Sequence, residues 1–174
     1  MTDEEFESIF REHKDAVYRF AWRMTSSPEA AEDIAQDVFV SLLRRPEAFD
    51  KARGPIRPFL LGAVRNLSFK RWRAESRWEE LDEKEFVAQP VDASAGEIAE
   101  VVGKAVRSLP ALQREVLILT EYDGLTLEEV AKVVQAEVGT VKSRLHRARE
   151  NLRRMLAPLK SGNTVRLTSH GTLG

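Results

Sequence analysis

The chain has 174 residues and no cysteine, and its three histidines are isolated from one another; disulfide staples, cysteine-ligated zinc or redox centres and an imidazole metal site are therefore excluded as expectations. A hydrophobic content of 43% supports one ordinary domain or two small ones. The formal charge of −1 hides a pattern: residues 56–78 carry six basic groups and one acid, 79–103 one and eight, and 130–157 seven and two, so a polyanion would meet two separate basic sites.

Apolar residues recur at helical spacing almost throughout, and no strand pattern is evident. Phe6, Ile9, Phe10, Val17, Phe20 and Ala21 line one face of a first helix over about 3–24. The acidic opening, MTDEEFESIF, does not have the form of a secretory signal, and no run approaches 18 apolar residues. A cytoplasmic protein without membrane insertion is expected. Ser27-Pro28-Glu29 is a start signal, with a capping residue, proline at the first helical position and an acid facing the positive helix end. The second helix continues through Ile34, Val38, Phe39 and Leu42 and stops before Pro46. On its polar face Asp33, Gln36 and Asp37 stand at i, i+3 and i+4; no histidine or third carboxylate joins them at a metal-site spacing, so the spacing speaks for a solvated face over catalysis.

Pro58 is expected to open a third helix that runs to about Arg77. Asn66, Lys70, Arg73 and Arg77 form one mostly basic stripe on it, while Leu60, Val64 and Leu67 face a core. Phe69 and Trp72 lie on a third side with Leu61 and Arg65, where they either pack against the first two helices or offer stacking surfaces to unpaired bases. Residues 79–96, WEELDEKEFVAQPVDASAG with its neighbours, are acidic and aperiodic and read as a flexible linker.

Helical pattern returns with Ile98, Val101, Val102, Ala105, Val106 and Leu109, and Leu109-Pro110 starts another helix, ALQREVLILTEY, which Asp123-Gly124 ends. Thr126 and Glu129 fit a capping box, with Leu125 and Val130 placed as a hydrophobic staple. A short turn then leads to VGTVKSRLHRARENLRRML, opening near Glu137. Two helices about such a turn make a helix-turn-helix. In the second, Val141, Leu145, Ala148 and Leu152 share the buried face. Ser143, Arg147, Glu150 and Arg154 lie opposite, with Lys142, His146, Arg149 and Arg153 on one flank and Arg144 on the other. A helix of this kind fits a major groove, its N-terminal residues reaching base edges and its later arginines meeting phosphates. Residues 159–174 are expected to be disordered.

The segment from AVRSLPALQREVL to LRRML resembles the C-terminal domain of bacterial sigma factors, and VGTVKSRLHRAR after an EEVA helix resembles the extracytoplasmic-function (ECF) group. That group usually has glycine at the turn where this chain has Gln135. EDIAQDVFVSLLRRPEAFD and PFLLGAVRNLSFKRWRAESR resemble region 2 of the same group. The resemblance implies an all-α fold of two small helical domains joined by a flexible acidic linker. Residues 1–78 would be a region 2-like domain, 79–96 the linker and 97–158 a region 4-like helix-turn-helix domain.

It further implies a non-catalytic initiation subunit that binds core RNA polymerase through Asp33, Gln36 and Asp37. The promoter −10 element would be met by Lys51, Arg53, Arg65, Asn66, Lys70, Arg73 and Arg77, with the 51–57 loop and Asn66 holding an extruded base. The −35 duplex would be read by Thr140, Lys142, Ser143, Arg144, His146, Arg147 and Arg149. The partners implied are core polymerase, promoter DNA and an anti-sigma factor, with no cofactor. The family commonly has an acid where Lys70 stands, so a changed −10 preference is expected. The rival readings are an autonomous helix-turn-helix regulator that binds duplex DNA without polymerase, and a helical adaptor whose basic faces only solvate.

Overall fold

The computed structural model describes residues 1–75 and 86–160, and among them the regular structure is helical. The first cluster holds α1 (Asp3–Thr25), α2 (Pro28–Arg44) and α3 (Ile56–Ala74). Thr2 and Glu5 form a capping box that starts α1, and Ser27 Oγ accepts from the Ala30 N–H at 3.1 Å to start α2 behind Pro28. Two single 3-10 turns, Pro46–Ala48 and Lys51–Arg53, carry the chain to α3. That helix begins at Ile56, two residues before the expected start. Pro55 is its N-cap and Pro58 sits in the first turn, where a missing N–H costs nothing because first-turn donors have no intrahelical partner.

Trp72 is buried at 2% exposure in the same core as Phe20, Met24, Phe39, Leu60 and Val64, so of its two readings packing is the one observed. Phe69 is half-buried with its ring edge-on to Trp72, 5.2 Å between centroids. Leu67 is only half-buried; Ser68 is the buried neighbour, its hydroxyl satisfied by the Val64 carbonyl at 2.9 Å.

The second cluster holds α4 (Ile98–Ser108), α5 (Ala111–Leu117), a wide π turn over Ile118–Tyr122, α6 (Leu127–Val134) and α7 (Val138–Met155). Gly124, at φ 67, supplies the left-handed step after the π turn, where the Leu125 N–H reaches back to the Leu119 carbonyl. The Thr126/Glu129 capping box forms as expected, and Leu125 and Val130 are both buried. Asn151 on α7 donates to Gln113 on α5 at 2.7 Å, pinning the last helix to the cluster.

Part of the expected linker is described, and the two clusters touch. The residues from 86 to 96 are non-helical but held: Phe86, Ala88 and Val91 pack on the core, and the Val91 N–H donates to the Met155 carbonyl at 2.9 Å. This segment, which carries Asp92 as its one acid, is thereby tied to the end of α7. Nor are the clusters free of one another: α3 packs on α6, and the end of α1 packs on α4 and α5. Residues 79–85, Arg77 and the tail from 161 lie outside the described residues.

Candidate nucleic-acid interface

The turn between α6 and α7 keeps helix-turn-helix geometry without glycine. Gln135 adopts φ 55, ψ 47, and the Ala136 N–H closes the helix end on the Ala131 carbonyl at 3.0 Å. Val141, Leu145 and Ala148 then face inward, Leu152 is half-buried, and Met155 completes the buried stripe. Of the residues expected to face a groove, Lys142, Ser143, His146, Arg147 and Arg149 are exposed, and Thr140 and Arg144 are half-buried. Arg149 pairs with Glu121 on the π turn and Arg153 with Glu150.

On the first cluster Asn66, Lys70 and Arg73 are exposed along α3, and Lys51 and Arg53 are exposed on the loop before it. Lys51 stands 3.8 Å from Glu5 and Arg53 3.7 Å from Asp50, both at the surface. Asn66 lines a cleft of about 720 Å³ with Phe49, Arg53, Gly54, Phe59 and Gly62, large enough for a nucleobase. Its far wall is α6, which contributes Glu129, Lys132, Val133 and Gln135.

Arg65 departs from the exposed stripe. Its guanidinium lies 4.3 Å from the Phe69 ring centre, and its Nε donates to Glu115 Oε2 on α5 at 2.8 Å. Burial pushes Glu115 up to about 7, against the opposing pull of Arg65. Arg57, on the first turn of α3, donates to Asp123 Oδ1 at 2.9 Å, and burial raises that carboxyl too. Arg114, only 3% exposed, lies over Trp72 and donates to the Leu109 carbonyl at 3.1 Å and to the Met24 carbonyl near the end of α1. There a cation also complements the negative helix end. Sequence reasoning missed Arg114, Glu115 and Asp123. The available signal was three consecutive polar residues, Gln113-Arg114-Glu115, inside a short helix otherwise apolar on nearly every side.

Asp33, Gln36 and Asp37 are exposed together on α2. Asp33 and Gln36 border a groove between α1 and α2 whose floor includes Phe6, Phe10, Phe39 and Leu43, with Phe10 41% and Leu43 56% exposed. The acidic face thus has an apolar companion. Among the described residues no group of His, Cys, Asp or Glu could hold a metal ion, and no helix is long and apolar enough to cross a membrane.

A three-helix unit with an acidic, part-apolar face, followed by a helix-turn-helix with a basic second helix, defines a two-part transcription protein. Residues 9–78 match the sigma-70 region 2 model and 99–152 the sigma-70 region 4 model. The chain is 31% identical to the ECF RNA polymerase sigma factor SigW of Bacillus subtilis, over 88% of this chain and 90% of that one. It is 30% identical to the RNA polymerase sigma-E factor of Streptomyces coelicolor, over 87% and 86%. The sigma factor RpoE of Bartonella quintana, solved in complex with the anti-sigma factor NepR, superposes with a TM-score of 0.72 at 27% identity, covering 88% of this chain and 98% of that one. CnrH, solved with the cytosolic domain of CnrY, shares the fold at a TM-score of 0.67 and 24% identity, covering 90% of each chain. The chain belongs to the ECF RNA polymerase sigma factors of the sigma-70 family. It is a non-catalytic subunit that directs transcription initiation.

Proposed function

We propose that this sigma factor divides its work between the two clusters. Residues 1–78 form the unit that docks on core RNA polymerase, with Asp33, Gln36 and Asp37 making polar contacts and Phe10 and Leu43 adding apolar area. The same unit meets the −10 element through Lys51, Arg53, Arg65, Asn66, Lys70, Arg73 and Arg77, the cleft beside Asn66 receiving one base. Residues 97–158 read the −35 duplex through Thr140, Lys142, Ser143, Arg144, His146, Arg147 and Arg149. The observation that carries this reading is the exposed cation set on α7, presented behind a capped α6 and an intact turn. The protein works in the cytoplasm, where polymerase is. Its likeness to a sigma factor solved with NepR supports regulation by an anti-sigma factor.

The test is a pull-down with core polymerase followed by sequencing of transcript start sites that depend on the added chain. Replacing Asp33, Gln36 and Asp37 together with Ala abolishes retention and leaves the melting curve unchanged, since exposed polar substitutions move stability by about 0.5 kcal/mol or less. Unchanged retention removes the docking assignment.

A further inference from the structure

We propose that Glu121, on the π turn, is a positioning residue for −35 recognition: it holds Arg149 at the rim of the groove, ordered to take a DNA phosphate, and so fixes how α7 sits on the duplex. The proposal rests on the −35 reading of α7 given above. Glu121 Oε1 accepts from Arg149 Nη2, with both side chains about half exposed. The pair joins two elements that are already locked together. Ile118 and Leu119 bury the start of the turn at 0% exposure, and the Asp123 N–H closes it on the Ile118 carbonyl at 3.0 Å. Asn151, just beyond Arg149, donates to Gln113 on α5 at 2.7 Å. Glu121 is therefore presented to α7 from a fixed platform.

Position along the helix decides what Arg149 meets. It stands about 16 Å from Val138, the first residue of α7, at ~1.5 Å per residue. For a helix that enters by its N-terminus, that lies beyond the roughly 12 Å width of a major groove. Lys142, on the same flank, is only about 6 Å from that end. Base edges are within reach of Lys142, and the phosphates that border the groove are within reach of Arg149. Phosphate contacts of this kind set the register of the reading helix. The guanidinium keeps further N–H donors for a phosphate beside the one that Glu121 takes. Ordering a free arginine side chain costs up to about thirtyfold in binding, and Glu121 removes part of that loss before DNA arrives. At this exposed rim the repulsion between the carboxylate and a phosphate is screened by water and salt.

The test uses core polymerase loaded with the full chain, and a fluorescent duplex carrying the −35 element of a promoter found by the start-site sequencing. Anisotropy over a salt series gives Kd. Glu121→Gln should weaken binding by about three- to tenfold. Arg149→Ala should weaken it by about tenfold and lower the slope of log K against log salt by about 0.9, the worth of one phosphate contact. The double variant should bind like Arg149→Ala. A merely structural role for Glu121 would not give that result, because a disturbed turn costs binding in either background. Circular dichroism melts confirm that the variants are folded, as expected for exposed polar positions. Glu121→Gln that binds as tightly as the parent, or more tightly, overturns the proposal, and so does an equal loss from Glu121→Gln in the Arg149→Ala background. In both cases a weakened Arg149→Ala leaves the −35 reading standing. Arg149→Ala that binds like the parent removes Arg149 from the −35 set and takes the proposal with it.

Discussion

Replacing Gln135 with glycine tests how the helix-turn-helix turn is held. Gln135 sits at φ 55, ψ 47 at the end of α6. A residue with a Cβ in that region is disfavoured by about 1–2 kcal/mol. Glycine removes the clash and, in exchange, gives the unfolded chain extra freedom worth about 0.5–1 kcal/mol. The difference favours Gln135→Gly by about 0.5–1 kcal/mol, a rise in Tm of about 1–4 °C for a chain of this size. The side chain is exposed, so little packing is lost. Thermal melts of the full chain followed by circular dichroism read the shift, and Gln135→Ala, which keeps the Cβ, should stay close to the parent. If Gln135→Gly melts more than 2 °C below the parent, the strain argument is wrong and the glutamine side chain contributes to the turn.

Three further outcomes follow from the buried and exposed groups. Glu115 faces Arg65 from α3, Arg114 from α5 and Arg144 from α7, yet burial lifts it from 4.5 to about 7. The folded chain therefore binds this proton more tightly than the unfolded chain. The stabilisation is full below about pH 4.5 and is lost as pH rises through 7. Relative to Glu115→Gln, the parent should lose about 2 kcal/mol between pH 5.5 and 8, read from urea midpoints at each pH; parallel profiles refute it. Trp72→Ala should cost about 3–5 kcal/mol, measured by urea denaturation, because the ring is 2% exposed and packed by Phe69 and Arg114; a loss under 1 kcal/mol would mean that the site is not a packed core. Arg147→Ala should weaken binding to duplex −35 DNA by about 1–3 kcal/mol in fluorescence anisotropy, while leaving retention on core polymerase intact.

Local signals carried most of the fold. The capping residues Ser27 and Thr126, the stop before Pro46 and the stripe Val141, Leu145, Ala148 each depend on neighbours within a turn or two, so the sequence displays them. The start of α3 was misplaced because Pro58 is as acceptable in the first turn as at its opening. The contacts of residues 86 to 96 have no local sign, because Phe86, Ala88 and Val91 follow no regular spacing and Val91 bonds to Met155, far along the chain. Arg65 stands in the expected DNA-facing set, and its contact with Glu115, 50 residues away on the other cluster, could not be read from spacing. A contact of that kind leaves no periodic trace. What the sequence did show, three polar residues inside an apolar helix, was a sign that partners had to exist, without naming them.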